Sequence, residues 1–269
     1  MIEQNATMTS LVTPQLLDYD FGSRVKAFST MRKGGYSEGL FGAFNINCYC
    51  GDEEAAIRKN RAALCNLLGI REDCLFMPHQ VHETVITAID APFLKLSDAE
   101  QHEQLEGVDA LMTNETGVCI GVSTADCIPV LLYDPEHHAA CAIHAGWRGT
   151  VKRIAEKAVA RMRDTYGTHP SHLMAQIGPG ISLDSFEVGD EVYDTFLQAG
   201  FHMPAISRRE SKWHIDLPAC NRLQLLDMGV AEHHIRDARI CTYSRCDDFF
   251  SARRLGVRSG RIFTAIFLS

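Results

Sequence analysis

The sequence predicts an α/β (α+β) protein with at least one mixed β-sheet. Three short apolar segments follow one another at residues 118–122, 129–133 and 139–144, with turn residues between them. Continuous apolar runs of this length are typical of strands that are buried on both faces. A helical pattern at residues 150–166 and another apolar segment at 173–177 come next. This alternation of strands and helices is characteristic of α/β folds.

The remaining elements are predicted from periodicity and from helix start and stop residues. Asp52 can cap a helix that runs to about Leu68, and Gly69 follows as its stop. We expect further helices over about 187–198 and 218–228, the second with Pro218 in its first turn and Gly229 after its last. Arg261 to Leu268 reads as a closing strand. The sites of α/β folds collect in loops beyond the strand ends.

The organisation of the chain predicts one domain over residues 1–269. No repeat, low-complexity tract or Pro/Gly/Ser-rich linker divides it. Residues 1–20 are expected to be a poorly ordered or peripheral segment. The composition, 46% hydrophobic and 22% charged, is ordinary for a soluble globular protein.

Charge and hydropathy exclude two classes of partner. The formal net charge is −8 and the sequence pI is about 5.8, so a broad basic surface for nucleic acid is not expected. The apolar runs are too short to span a bilayer, and the N-terminus lacks the basic and apolar regions of a secretory signal. The sequence therefore predicts a cytoplasmic protein, in which the ten cysteines are mostly reduced.

Cys127 and His144 are the first candidates for metal binding or catalysis. Both lie at ends of consecutive predicted strands, which are often neighbours in space. Most cysteines of this kind are core thiols, but a Cys and a His at adjacent strand ends can also form a metal pair or a nucleophile–base pair. His82 is a third candidate ligand, and three protein ligands with one open position are usual for catalytic zinc. The spacing alone leaves these alternatives open.

Short motifs occur in a characteristic order from about Phe28 to the C-terminus. They include Arg32-Lys33-Gly34-Gly35-Tyr36-Ser37, Gln80-Val81-His82, Asp109-Ala110, Thr124-Ala125-Asp126-Cys127-Ile128-Pro129-Val130, Ile143-His144-Ala145-Gly146-Trp147-Arg148-Gly149, Ile177-Gly178-Pro179-Gly180-Ile181, Phe249-Phe250-Ser251-Ala252-Arg253-Arg254 and Gly260-Arg261. Through these motifs the chain resembles the YfiH/YlmD family, also called laccase-domain or multicopper polyphenol oxidase proteins. The resemblance implies a CNF-toxin/YfiH-like fold, in which mixed β-sheets pack together and are flanked by helices.

The resemblance also implies an activity and a cofactor. Members of the family are regarded as purine nucleoside phosphorylases with additional adenosine deaminase activity. The expected substrates are therefore phosphate and a purine nucleoside: adenosine, inosine, guanosine or methylthioadenosine. By the same resemblance, His82, Cys127 and His144 bind zinc, and copper can replace it in vitro. The expected assembly is a monomer or a small homo-oligomer.

Further residues are candidates for binding or positioning. Arg148 is the first candidate for holding phosphate and Arg32 the second, since both lie beside glycines, although isolated arginines are usually solvated. Asp126 can orient a histidine ligand, or it can fill a turn. Gln80 is a candidate contact for the purine.

Three other functions compete with this interpretation. A copper oxidase of phenols would typically carry His-x-His pairs, and this sequence has none. A hydrolase or deamidase could use Cys127 and His144 without metal. An interaction protein with a vestigial site is the third alternative, which the intact set of His82, Cys127 and His144 disfavours.

Overall fold

Strands and helices alternate along residues 12–269, the part of the chain that the computed structural model describes. In chain order the strands are β1 (Leu16–Tyr19), β2 (Val25–Thr30), β3 (Leu75–Phe76), β4 (Ile86–Ala88), β5 (Ala110–Thr113), β6 (Cys119–Thr124), β7 (Ile128–Asp134), β8 (Ala139–Ala145), β9 (Met174–Ile177), β10 (Glu187–Val188), β11 (Ser207–Arg209), β12 (Trp213–Ile215), β13 (Ile235–Asp237) and β14 (Ile262–Leu268). The α-helices are α1 (Glu54–Leu68), α2 (Asp98–Gln104), α3 (Trp147–Val151), α4 (Ile154–Tyr166), α5 (Asp190–Gln198), α6 (Met203–Ile206), α7 (Leu217–Asp227) and α8 (Ala252–Leu255).

The strands form two large mixed sheets and one small sheet. The five-stranded sheet has the order β1-β2-β14-β6-β3, and only its β3–β6 pair is parallel. The six-stranded sheet has the order β13-β9-β7-β8-β5-β4, with parallel pairs at its two edges. Strands β10, β12 and β11 form a small antiparallel sheet. The predicted α/β (α+β) class with packed mixed sheets is confirmed.

The two large sheets pack face to face, and strand periodicity explains how. Successive side chains of a strand point to opposite faces. In β8, Ala140 and Ala142 belong to the core between the sheets, together with Ile120 of β6 and Ile266 of β14. Cys141, one residue away, belongs to a different core. Strands β6, β7 and β8 are buried along their whole length, as the apolar runs predict.

Helices cover the outer faces of both sheets. Helix α4 places Ile154, Ala158 and Met162 against the second face of the six-stranded sheet, and α7 adds to the same core. Helix α1 places Leu64 against the outer face of the five-stranded sheet, where it joins Phe28 in a separate core. The sheets therefore form the inner layers and the helices the outer ones.

Two predicted helices have different bounds in the structure. The pattern at 150–166 divides into α3 and α4, because Arg153 between them adopts a left-handed conformation with φ 64°. Its guanidinium lies 3.9 Å from the ring centre of Phe201 and donates to the carbonyl of Ala199. The helix expected at 187–198 begins at Asp190, since Glu187–Val188 pairs as a strand with β12.

The N-terminal segment proposed at 1–20 is described in part. Residues 1–11 lie outside the described residues. Leu16–Tyr19 form β1, an edge strand paired with β2 in antiparallel register. Among residues 12–269, no helix has the length and the apolar character needed to cross a bilayer.

Close packing around Gly121 of β6 generates a stability prediction. A Cβ at this position would lie 2.4 Å from Cζ of Phe263 and 2.7 Å from Cβ of Ala265. We expect Gly121→Ala to lower the free energy of unfolding by about 1–3 kcal/mol, because the core is overpacked. Urea denaturation measures this loss.

A double variant isolates the steric cause. Phe263→Leu removes the ring tip that meets the new Cβ, so the cost of Gly121→Ala should be smaller in that background. Strictly additive losses in the double variant would contradict a clash between the two side chains.

Candidate metal centre

Strand geometry brings Cys127 and His144 to the same end of the six-stranded sheet. Pro129 of β7 pairs with His144 of β8, and Cys127 precedes β7 by one residue. Leu131 of β7 and Ala142 of β8 face the other large sheet. Counting in steps of two from these residues assigns Cys127 and His144 to that same face. Both side chains therefore point to the end of the gap between the sheets.

His82 completes a cluster of three potential metal ligands. One ligand atom each from His82, Cys127 and His144 lie within 4.8 Å of one another. The Sγ atom of Cys127 is 3.7 Å from Nε2 of His82. Ligand atoms at zinc-binding distances of about 2.0–2.3 Å in tetrahedral geometry are about 3.3–3.8 Å apart. The donor set and the distance between Cys127 and His82 thus suit a single metal ion, and the expected set of His82, Cys127 and His144 meets in space.

A buried carboxylate, Asp109, holds two of the three ligands in place. Its Oδ1 accepts from Nδ1 of His144 at 2.7 Å and from the backbone N–H of His82 at 3.0 Å. Its Oδ2 accepts from the backbone N–H of Glu83 at 2.7 Å and of Val81 at 3.4 Å. With Nδ1 bonded to Asp109, the Nε2 atom of His144 is the one available to a metal.

The loop that carries His82 has a strained backbone. His82 has φ 65°, in the left-handed region that few residues other than glycine adopt. The amide hydrogen bonds to Asp109 on both sides of this residue explain how the conformation is maintained. Strained residues cluster at functional sites, where the surrounding structure determines them.

The charges of the cluster favour a thiolate. Burial raises the pKa of the Cys127 thiol, but His144 and His82 outweigh burial and lower this pKa to about 6. Burial lowers the pKa of His144, whereas Cys127 and Asp109 raise it to about 9. Burial raises the pKa of Asp109, but the hydrogen bonds from His144 and the amides of the His82 loop lower it overall. A thiolate beside two imidazoles is a suitable ligand set for a divalent cation.

A cavity of about 330 Å³ opens next to the cluster. This volume is within the range of small-molecule sites, about 300–1,000 Å³. Its wall includes the three candidate ligands, Thr124 and Arg261. Tyr49 and His79 also line it, and their rings stack with centres 4.1 Å apart and planes 19° apart. The cavity therefore combines an aromatic surface, a cation and a candidate metal position.

The structure does not support the expected role of Asp126. Its Oδ1 accepts from the hydroxyl of Thr242 at 2.7 Å, and its Oδ2 accepts from the backbone N–H of Arg253 at 2.6 Å. The carboxylate thus fixes two loops and contacts neither histidine, and Asp109 takes the orienting role. Asp126 also has a positive φ of 86°, so its bonds hold the backbone immediately before Cys127.

The two arginines proposed for phosphate lie elsewhere. Arg148 is exposed, and its guanidinium lies over the ring of Trp147, 4.4 Å from the centre. Arg32 donates to the carbonyls of Gly42 and Cys246. Neither side chain is among those that line the cavity. Arg148 lies in the first turn of α3 and Arg32 in a loop, and both side chains are directed away from the cavity lining, so the expected phosphate contacts are not supported.

Gln80 lines the cavity, but its amide is already bonded. Nε2 donates to the carbonyl of Ser123 at 2.8 Å, and Oε1 accepts from the backbone N–H of Ser123 at 2.7 Å. This paired contact ties the His82 loop to the end of β6. Gln80 therefore positions the loop through these two bonds.

Sequence reasoning missed Asp109 and Arg261. Both occur in motifs of the resemblance, Asp109-Ala110 and Gly260-Arg261, without a role assigned to either. The signal available in the sequence for Asp109 was an acidic residue directly before a short apolar segment. The place of Arg261 depends on the pairing of β14 with β6.

Comparison with known proteins shows the family to which the chain belongs. The family model described as "Multi-copper polyphenol oxidoreductase laccase" matches residues 26–269. A purine nucleoside phosphorylase of Bacteroides thetaiotaomicron is 48% identical over 91% of this chain and 92% of its own. The adenosine deaminase RL5 of an unknown prokaryotic organism is 43% identical over 90% and 94%. The crystal structure of Bacillus licheniformis YfiH is similar with a TM-score of 0.87 at 27% identity, over 96% and 98% of the two chains.

The hydrogen bonds of Asp109 generate a prediction for metal affinity. All four of its partners donate, so either orientation of an asparagine amide would place its NH₂ group against N–H donors. We expect Asp109→Asn to weaken zinc binding by about 10–100-fold, the range for residues that orient metal ligands. A competition titration with a zinc-sensitive dye measures the affinity.

Asp134 offers a matched control. It is a fully buried carboxylate at the other end of β7 and also contacts a histidine, His137, at 2.8 Å. Asp134→Asn should leave zinc affinity unchanged. Equal losses of affinity in both variants would indicate a general loss of stability and contradict a specific role of Asp109.

Close approach of the backbone at Gly146 generates a second prediction. Its φ of −65° and ψ of 165° are open to alanine, but a Cβ would lie 2.8 Å from Cδ2 of His82 and 3.0 Å from Sγ of Cys127. We expect Gly146→Ala to displace these ligands and weaken zinc binding at least about 10-fold. Gly149→Ala is the control, because its Cβ would meet the Glu83 carbonyl at 3.1 Å and no ligand side chain. Unchanged zinc binding in Gly146→Ala would disprove the crowding.

Proposed function

The chain belongs to the family described as multi-copper polyphenol oxidoreductase laccase, and we propose that it is a zinc-dependent purine nucleoside phosphorylase that also deaminates adenosine. The proposed substrates are adenosine, inosine, guanosine and methylthioadenosine, with inorganic phosphate as the second substrate. In phosphorolysis, phosphate forms a bond to C1′ of the sugar while the C1′–N9 bond breaks. The purine leaves with the bonding electrons and takes up a proton.

The observation that carries this proposal is the convergence of His82, Cys127 and His144 on a cavity of nucleoside-compatible size. Relatives of this chain along nearly its whole length are named purine nucleoside phosphorylase, and one is named adenosine deaminase. The names of these relatives support this class of substrate, and the volume of the cavity is compatible with it.

The cluster suits zinc through its donors as well as its spacing. Two imidazoles and one thiolate are ligands that zinc accepts together, and His82, Cys127 and His144 would hold the ion at the wall of the cavity. When bound there, zinc supplies a Lewis acid that polarises a substrate or water. Asp109 keeps Nε2 of His144 free for the ion, and the Gln80–Ser123 contact fixes the loop that presents His82.

The rest of the cavity offers groups for a nucleoside. The stacked rings of Tyr49 and His79 provide a flat surface against which a purine can pack. Nδ1 of His79 lies beside a carboxylate oxygen of Glu106, so this ring is oriented by the contact.

A thiol hydrolase is the second candidate, and a specific arrangement favours it. Cys127, His144 and Asp109 are arranged as nucleophile, base and orienting acid, because His144 is bonded to Asp109 and a ring nitrogen of His144 lies within 4.8 Å of the Cys127 thiol. Such an enzyme would attack an acyl or amide carbon through the sulfur of Cys127. It would work without metal, which separates it from the first proposal.

A multicopper oxidase is not proposed. Among residues 12–269, the cluster of His82, Cys127 and His144 is the one group of three or more side chains that could hold a metal ion. One site for one ion does not provide the several coupled copper centres that such an oxidase requires. We propose a cytoplasmic location, since all ten cysteines are unpaired.

Product analysis tests the proposed function. With adenosine and phosphate we expect adenine and ribose 1-phosphate, and with adenosine alone we expect inosine and ammonia, all measured by chromatography. Removal of the metal by a chelator should abolish both activities, and zinc should restore them. Full activity after chelation would favour the thiol hydrolase and contradict the metal-dependent proposal.

A variant of Cys127 provides the matching genetic test. Cys127→Ala removes one of three ligands, so we expect turnover to fall at least about 100-fold and bound zinc to decrease. Cys74→Ala is the control, because Cys74 lies outside the cavity and contacts Asp73. Wild-type turnover in Cys127→Ala would rule out the proposed site.

A further inference from the structure

Phosphorolysis needs a cationic group for phosphate, and the cavity contains one arginine. Among the described residues that line the cavity, Arg261 is the single arginine, and no lysine accompanies it. Phosphate carries negative charge at neutral pH, and guanidinium groups bind it through paired hydrogen bonds. Apart from the histidines of the cavity, which include two candidate metal ligands, the positive charge for phosphate comes from Arg261, from the candidate metal, or from both.

Sheet register places Arg261 near the candidate metal ligands. Ile262, the first residue of β14, pairs with Thr124 of β6 in antiparallel register. The preceding residue, Arg261, consequently stands opposite Ala125, which also lines the cavity. Directly paired residues of antiparallel strands are about 4.5–5.5 Å apart. Cys127 follows Ala125 by two residues, so the backbone of Arg261 lies beside the segment that presents the thiolate.

The guanidinium of Arg261 is held in place by hydrogen bonds to neutral acceptors. Nη1 donates to the carbonyls of Ser259 and Gly260, and Nη2 donates to the carbonyl of Val257. All three acceptors are neutral and belong to the loop that precedes β14. These three bonds use three of the five N–H donors. Among residues 12–269, Nε–H has no acceptor, and together with Nη2 it forms the edge that binds two oxygens of one anion.

A second, independent group on the same wall lacks a partner. Thr124 is 1% exposed, and its Oγ1 makes no hydrogen bond to any described residue. A buried hydroxyl without a hydrogen-bond partner is energetically unfavourable, so in native structures it usually bonds to protein, water or ligand. Oγ1 is shielded in the observed conformation, so a rotation of the Thr124 side chain would present its hydrogen to an oxygen of a bound ligand. Thr124 faces Ile262, next to Arg261, across the β6–β14 pair.

We infer that Arg261 is the residue that holds inorganic phosphate in the cavity, with the hydroxyl of Thr124 as a second contact; this inference rests on the proposed phosphorolysis. Nε–H and Nη2–H of Arg261 donate to two phosphate oxygens. A third oxygen remains directed at C1′ of the nucleoside, where it forms the new bond. Arg261 thereby takes the role that the sequence pattern suggested for Arg148 and Arg32.

Direct titration of inorganic phosphate tests this assignment independently of turnover. Calorimetry on the full-length protein should show that Arg261→Gln weakens phosphate binding by about 10–100-fold, the effect of losing a charge-assisted paired contact. Arg261→Lys keeps the charge but loses the paired geometry, so its affinity should be intermediate. The matched control is Arg258→Gln, which removes the same charge from an exposed position of the same loop and should bind phosphate like the wild type.

Kinetics separate a phosphate contact from a structural role. Arg261→Gln should raise the KM for phosphate in phosphorolysis much more than the KM for adenosine, because the guanidinium contacts phosphate rather than the nucleoside. An equal rise in both constants, or wild-type phosphate affinity in Arg261→Gln, would overturn the inference. Absence of any phosphorolysis by the wild type would instead refute the proposed function, and the phosphate titration would still report on Arg261.

Discussion

The site depends on one buried carboxylate that accepts four hydrogen bonds. Asp109 joins the loop of His82 to the end of β8, where His144 lies, and it does so from the start of β5. A carboxylate in a protein interior is unfavourable unless its oxygens are well bonded. Here each oxygen accepts two hydrogen bonds, so the charge is stabilised and the positions of two candidate ligands become coupled. The strained φ of His82 is one consequence of this arrangement.

The packing of the two sheets explains why the site lies where it does. Strands β7 and β8 are buried on both faces, and their alternate side chains fill the core between the sheets. Where the strands end, the same alternation continues with Cys127 and His144 in place of apolar residues. The cavity at this edge lies between the apolar core of the two sheets on one side and the polar loops before β14 on the other. Electrostatic interactions are stronger in such surroundings than in water.

A network of polar side chains supports the opposite wall of the cavity. Asn47 donates to the hydroxyl of Ser123, and Gln80 is bonded to the backbone of Ser123 in both directions. The end of β6 is thereby connected to two loops that are distant in sequence. Because Asn47, Gln80 and Ser123 are bonded to one another, this wall can keep its shape when a ligand enters. A preformed site of this kind loses less conformational entropy when a ligand binds.

The sequence by itself determined the class of fold, the buried central strands, the longer helices and, through the family motifs, the three candidate ligands. Strand burial and helix periodicity are local properties, so the segments of β6, β7, β8 and α7 could be predicted from their own residues. The division between α3 and α4 could not, because the apolar pattern continues through Arg153, whose conformation depends on Phe201 and Ala199.

The tertiary structure alone decided which polar residues surround the ligands. Asp126 stands next to Cys127 in sequence, but its carboxylate points to Thr242 and Arg253, and the more distant Asp109 contacts His144. Arg261 reaches the cavity because β14 pairs with β6 across more than a hundred residues of chain. Periodicity shows which face of a strand a side chain occupies. It does not show which strand lies beside it, and that register selects the partners of each charge.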